Sequence, residues 1–172
     1  TQVALQQIGC SDFEIVLVND GSPDDSLALA LTLLERDSRV RVIDLSRNFG
    51  HHKAMMTGLA YARGDLVFLL DADLEDAPEV LASFHDTLRT QDVDVVYGVQ
   101  AARRGGMVER MSGWVYFTVF NWISDVPIPV NVVTVRLMTR RYVDALLQHR
   151  ERETIIAGLW ALTGFAQVPM VV

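Results

Sequence analysis

Leu66 to Glu79 reads LVFLLDADLEDAPE, five apolar residues running into Asp71 and Asp73 with Glu75 and Asp76 close behind. Carboxylates crowded this closely repel one another unless a cation or a proton compensates them, and a hard divalent cation does so with oxygen ligands alone. The apolar run has the length and composition of a strand buried on both faces. Its C-terminal end is where open α/β sheets take their ligands. The plainer alternative is a polar turn in which Asp76 caps a helix beginning near Pro78. A cap uses one acid, whereas this loop carries four, so the spacing favours a metal site.

A second constellation lies at Arg47, Asn48 and Gly50, a turn entering a helix whose first turn holds His51, His52 and Lys53. Basic residues are disfavoured in a first helical turn, while helix N-termini and cations both attract phosphate. A bound anion is one reason for such a cluster and a solvated patch is the other. Adjacent histidines project differently from a helix, so His51 and His52 do not form a facing pair for zinc. Arg103 and Arg104, on a glycine-flanked loop, are further cations available to a phosphate or to solvent.

These residues need strands and helices to hold them, and the chain supplies both in alternation. Strands are expected at Phe13–Val18, Val40–Leu45, from Leu66 and at Val93–Tyr97. Helices are expected before Gly9, after Asp24 or Asp25, over His51–Ala62 and from Pro78 to about Arg89. Such alternation predicts a mostly parallel sheet with helices on both faces. Beyond Tyr97 the rhythm changes. Met107–Ile123 reads as an amphipathic-to-apolar helix, Pro127 and Pro129 interrupt, Thr139 caps a helix through Gln148, another helix follows from Thr154, and Phe165–Val172 reads as a final strand. Both ends read as cut, because a sheet of this kind opens with a strand and this chain opens with a helix.

At 172 residues and half apolar, the chain is expected to form one domain with a sizeable core. A net charge of −7 removes the positive field that general nucleic-acid binding needs. The single cysteine, Cys10, permits no internal disulfide. No apolar run reaches the roughly 20 residues of a membrane helix; the aromatic stretch Trp114–Ile123 suits a core helix or a membrane interface better than a span.

Taken together, VNDGSPDDS at 18–26, SRNFGHHKA at 46–54, GDLVFLLDADLEDAPE at 64–79 and VRLMTRR at 135–141 resemble the family 2 glycosyltransferases of GT-A fold. The nearest branch is that of the polyprenyl-phosphate sugar transferases, typified by dolichyl-phosphate mannose synthase and bactoprenol glucosyltransferases. The resemblance implies an α/β, Rossmann-like GT-A domain over 1–172, with a nucleotide-sugar-binding part over about 1–98 and an acceptor-side part over about 99–172. It implies a metal-dependent, inverting transfer of a hexose from a nucleotide diphosphate-sugar to a polyprenyl phosphate in cell-envelope glycan synthesis. By the same resemblance Asp71, Asp73 and Glu75 bind Mn²⁺ or Mg²⁺, and Asp73 and Arg136 are the catalytic residues. Asp20 meets the base or ribose, Arg136 contacts a phosphate of donor or lipid acceptor, and Ser22, Arg47, Asn48, Gly50, His51, Lys53, Asp71 and Arg103 line the substrate. A cytoplasmic location at the inner face of a membrane is where such substrates meet.

The sequence departs from the branch in one place. Where the branch carries an acid two residues before its arginine, this chain has Thr134 in Val133-Thr134-Val135-Arg136-Leu137. A hydroxyl acceptor needs a base, but a phosphate acceptor is already ionised near neutral pH, its second pKa being about 6. Two other readings stay open: a nucleotide-sugar-binding domain without transfer activity, and a haloacid-dehalogenase-like phosphatase with Asp71 as nucleophile. Glu75 stands where the phosphatase pattern prefers a small hydroxylated residue.

Overall fold

The structure, a computed structural model, describes residues 2–73, 77–100, 131–149 and 156–172. A first helix, α1 (Gln2–Gln7), ends at Gly9, whose φ of 67° reverses the chain as its position after the apolar run leads one to expect. Then β1 (Ile15–Asn19), α2 (Ser26–Arg36), β2 (Val40–Asp44), α3 (His51–Tyr61), β3 (Leu66–Leu69), α4 (Val80–Gln91) and β4 (Val95–Val99) alternate. The described chain continues with β5 (Val132–Thr139), α5 (Arg140–Leu146), α6 (Ile156–Leu162) and β6 (Gln167–Val171). The fold is mixed α/β, with helices on both faces of a sheet.

Pairing is parallel for β1 with β2, from Ile15 opposite Val40 to Asn19 opposite Asp44. A four-stranded sheet runs in the order β3-β5-β4-β6. There β5 is antiparallel to both neighbours while β4 and β6 are parallel. The eight-residue β5 is a strand that the sequence reading, which begins its next element at the cap Thr139, does not place, and its insertion turns a parallel arrangement into a mixed one. Its register decides what shares a face. Leu69 of β3, Arg136 of β5 and Tyr97 of β4 lie side by side.

Two apolar clusters cover the sheet. One face gathers Met55 and Leu59 of α3 with Val67, Val95, Tyr97, Met138 and the buried faces of α5 and α6. The other gathers Ala4 of α1 and Leu81, Phe84 and Leu88 of α4 with Val96, Val135 and Leu137. The alternation along β5 from Val135 to Met138 therefore serves both faces, as the period of a strand requires. Expected to be buried on both faces, β3 is so only in part: Val67 is buried, but Leu66 is 38% exposed. In the described sheet β3 is hydrogen-bonded on one side only, to β5, and an edge strand shields less of its own surface.

Helix α3 ties the parts together. It packs so closely on β1 that a Cβ at Gly58 would stand 3.1 Å from Cγ2 of Val18, while its Met55 and Leu59 enter the core with Val67. Below it, Glu14 accepts hydrogen bonds from the Arg63 amide at 2.6 Å and from Arg41 at 3.0 Å. Burial alone would raise the Glu14 pKa, but those hydrogen bonds and the two arginine charges outweigh it and hold it below its ordinary value. The staple fixes the ends of β1 and β3 that lie opposite the candidate site.

At the other end of α4, Asp94 is 3% exposed and accepts a bidentate pair from Arg141, its Nη2 at 2.8 Å, and the Thr139 hydroxyl at 2.9 Å. Thr139 is the N-cap residue of α5, as its sequence position suggests, yet its hydroxyl serves Asp94 and makes no cap bond. Asp25 is likewise the N-cap of α2 without a side-chain bond, and Asp24 instead accepts from the Ser26 amide.

Candidate functional site

The C-terminal ends of β1 and β3 and the N-terminus of α3 converge. After β1 the chain turns through Asp20 and Gly21, and after β2 through Ser46 to Gly50. Asp20 joins these turns: one carboxylate oxygen accepts from the Phe49 amide at 2.7 Å, the other from the Gly50 amide at 2.9 Å. Gly21 makes the approach possible. Its φ of 69° suits glycine, and a Cβ there would stand 2.8 Å from the Asn48 nitrogen. Asn19 closes the same end, donating from Nδ2 to Asp44 at 2.8 Å and accepting from the Ser22 amide at 3.2 Å.

Gly50, with φ 97°, is the N-cap of α3, and His51 is its first residue. Nε2 of His51 lies 3.6 Å from Oδ1 of Asp71, the first acid after β3. Thus Asp20, the Asn48–Gly50 backbone, His51 and Asp71 form one cluster, which sequence reasoning assembles only as separate blocks. Asp71 is partly buried and Asp73 is exposed. Arg47 lies over the Phe49 ring with Cζ 4.6 Å from its centroid, and Lys53 is exposed on the first turn of α3. Glu75, Arg103, Arg104 and the Trp114–Ile123 stretch lie outside the described residues.

Two carboxylates on a loop beside a helix N-terminus form a hard oxygen donor set of the kind Mg²⁺ and Mn²⁺ favour. Among the described residues, no cluster of three or more metal-ligating side chains is present. Asp71 and Asp73 fit the chemistry of such an ion as part of a ligand set.

Arg136 occupies a different environment. It sits opposite Leu69 in the sheet, about 7 Å along the strand from the position of Asp71. It is 1% exposed. Its Nε donates to the Thr134 carbonyl at 3.1 Å and its Nη2 to the Val133 carbonyl at 3.3 Å. Among the described residues no carboxylate pairs with it. Burial pulls its pKa down to about 9, which the nearby Tyr142 and Tyr97 hydroxyls partly offset. The guanidinium therefore remains a cation at neutral pH. Burial also raises the phenol pKa of both tyrosines, that of Tyr142 to about 12.

A cavity of about 200 Å³ opens beside Arg136, lined also by Tyr97, Val132, Trp160, Phe165 and Gln167. Sequence reasoning does not single out Trp160 or Tyr97. The signal is the register of β5, which puts Tyr97 beside Arg136, and no local motif in the sequence announces that register.

A family model described as "Glycosyl transferase family 2" matches residues 2–147. A Mycobacterium tuberculosis chain named as a glycosyltransferase is 54% identical over 92% of this chain and 46% of its own length. The undecaprenyl-phosphate 4-deoxy-4-formamido-L-arabinose transferase of Pseudomonas aeruginosa is 36% identical over 97% of this chain and 48% of its own. The chain thus spans about half the length of the curated relatives it matches. Among solved structures, the mannosyltransferase PcManGT of Pyrobaculum calidifontis, in complex with GDP-Man and Mn²⁺, shares the fold with a TM-score of 0.61 at 19% identity, over 99% of this chain and 50% of that one. Among the described residues, no helix is long and apolar enough to cross a membrane.

Proposed function

Because the chain belongs to glycosyl transferase family 2, we propose that it carries the donor site of a metal-dependent, inverting glycosyltransferase whose acceptor is a polyprenyl phosphate. The observation that carries this reading is the convergence of Asp20, the Gly50 amide, His51 and Asp71 at one end of β1 and β3. Two further supports come from similar proteins: one relative is named for undecaprenyl phosphate, and a structural neighbour holds GDP-Man with Mn²⁺.

The donor's diphosphate would lie over the N-terminus of α3, where the first-turn amides and His51 favour negative charge. Asp71 and Asp73, with Glu75 two places on, would hold the divalent ion. When bound, that ion supplies charge stabilisation to the departing diphosphate. Asp20 keeps the loop carrying Gly50 in place and retains lone pairs for the base or ribose, since a carboxylate has about four acceptor sites and two are taken.

Arg136 would position the acceptor phosphate. One phosphate oxygen attacks the anomeric carbon as the bond from that carbon to the donor's β-phosphate oxygen breaks on the opposite face, so configuration inverts and a nucleoside diphosphate leaves. No proton need be removed from the acceptor, which fits Thr134 standing where an acid would otherwise serve as base.

Thr134 also favours a second reading, donor binding without transfer. Incubation with labelled UDP-glucose or GDP-mannose, Mn²⁺ and polyprenyl phosphate separates the two. Labelled lipid that disappears in Asp73→Ala supports transfer. Donor binding with no labelled lipid supports the binding domain, and label transferred equally by Asp73→Ala overturns the metal assignment.

A further inference from the structure

The proposed role of Arg136 leaves its neighbour Trp160 unexplained. The guanidinium carbon lies 3.0 Å from the centroid of the Trp160 ring, and the two residues are 1% and 6% exposed. A cation this desolvated, with no carboxylate partner among the described residues, is costly to hold. Besides the carbonyls of Thr134 and Val133 and the nearby Tyr97 and Tyr142 hydroxyls, the ring face is an attractive surface provided for it among the described residues.

Trp160 is itself held from behind. Its backbone carbonyl accepts from the Tyr142 hydroxyl at 3.0 Å and from Nε2 of Gln167 at 2.8 Å. Gln167 also donates to the Gly164 carbonyl at 2.6 Å, fixing the exit of α6. The indole Nε1 of Trp160 is buried without a hydrogen-bond partner among the described residues. Arg136 and Trp160 both line one cavity, and among the described residues the cation there has no carboxylate to neutralise it. A buried group left so calls for an explanation, and an anion bound beside the cation is one.

We propose that Trp160 is the positioning residue of an acceptor-phosphate subsite: its ring holds the Arg136 guanidinium at the wall of the cavity, ready for the phosphate head of a prenyl lipid. This rests on the reading of the acceptor as a phosphate. The cavity is about 200 Å³, below the roughly 300–1,000 Å³ of pockets that enclose a whole small molecule. It suits a phosphate with the first carbons of a chain better than a nucleotide-sugar. Val132, Ala157, Ala161 and Phe165 in its lining offer carbon to a prenyl unit, with few groups for a ribose.

Farnesyl phosphate, with farnesol, inorganic phosphate and GDP as comparison ligands, tests this on the full chain. Wild type is expected to bind farnesyl phosphate in preference to farnesol and to inorganic phosphate. Trp160→Leu should lose about tenfold to thirtyfold of that affinity, the worth of a desolvated cation–π contact, with GDP binding in Mn²⁺ unchanged. Trp160→Phe should restore most of the affinity because the ring remains.

Wild-type affinity for farnesyl phosphate in Trp160→Leu, while Arg136→Gln loses it, would overturn the role of Trp160 and leave the phosphate-acceptor reading intact. GDP binding by wild type with no farnesyl phosphate binding would overturn that reading and this proposal with it. Should the leucine variant fail to fold, the wild-type indole N–H resonance that vanishes in Trp160→Phe decides. A shift that saturates with farnesyl phosphate supports the proposal, and none at saturation overturns it.

Discussion

At the scale of single residues, Asp20 carries structure as well as any contact to a donor. Its two oxygens accept from neighbouring amides at 2.7 and 2.9 Å, and asparagine can satisfy only one, turning an NH₂ group towards the other amide. Asp20→Asn is expected to cost about 1–3 kcal/mol, a fall of several degrees in melting temperature at this size, together with weaker donor binding. A melting curve and a donor titration on the same variant check both. Gly21→Ala should be comparably destabilising, because its φ of 69° and an Asn48 nitrogen only 2.8 Å from where the new Cβ would stand leave no room to relax. These residues were legible in the sequence as chemistry, since an acid and a glycine after an apolar strand mark a loop. That Asp20 reaches across to the loop after β2 was not legible, because a contact between residues 29 and 30 positions apart leaves no local pattern.

At the scale of elements, Asp94 joins β4 to β5, α5 and β6 through Arg141, Thr139 and the Ala166 carbonyl, which accepts from the Asp94 amide at 2.8 Å. Burial would raise its pKa, but hydrogen bonds from Arg141 and Thr139 and the arginine's charge hold it below the ordinary value. The folded state therefore binds fewer protons here than the unfolded chain, whose aspartates titrate near about 3.9. The contribution is full above that pH and is lost as pH falls through the lowered folded value. Asp94→Asn should thus be less stable than wild type at pH 7, and the gap should narrow below about pH 4; denaturant midpoints from neutral pH down through that range measure it. The elements up to β4 could be read from alternating apolar runs and turn residues. The strand β5 could not, because both its faces are covered and its mostly apolar run shows no two-residue alternation.

At the scale of the whole molecule, the class of fold and the family were legible because four separated blocks each end a strand or open a helix, and such spacing constrains topology more than any one motif. The different settings of two residues near the same, C-terminal end of β3 were not. Asp71 sits on the open loop side with His51, whereas Arg136, opposite Leu69, is buried over Trp160. The donor and acceptor phosphates would therefore meet different surroundings: solvated carboxylates and amides for one, a desolvated cation against aromatic carbon for the other. Raising salt should accordingly weaken donor binding more than farnesyl phosphate binding, since exposed charges are screened and buried ones much less so.

The central claim is that Asp71 and Asp73 make a metal-dependent donor site. Calorimetric titration of GDP-mannose and UDP-glucose, with and without Mn²⁺, against wild type and Asp73→Ala tests it most directly. Binding of one donor that requires Mn²⁺ and is lost in Asp73→Ala is the predicted result. Donor binding that ignores both the ion and the substitution would contradict it.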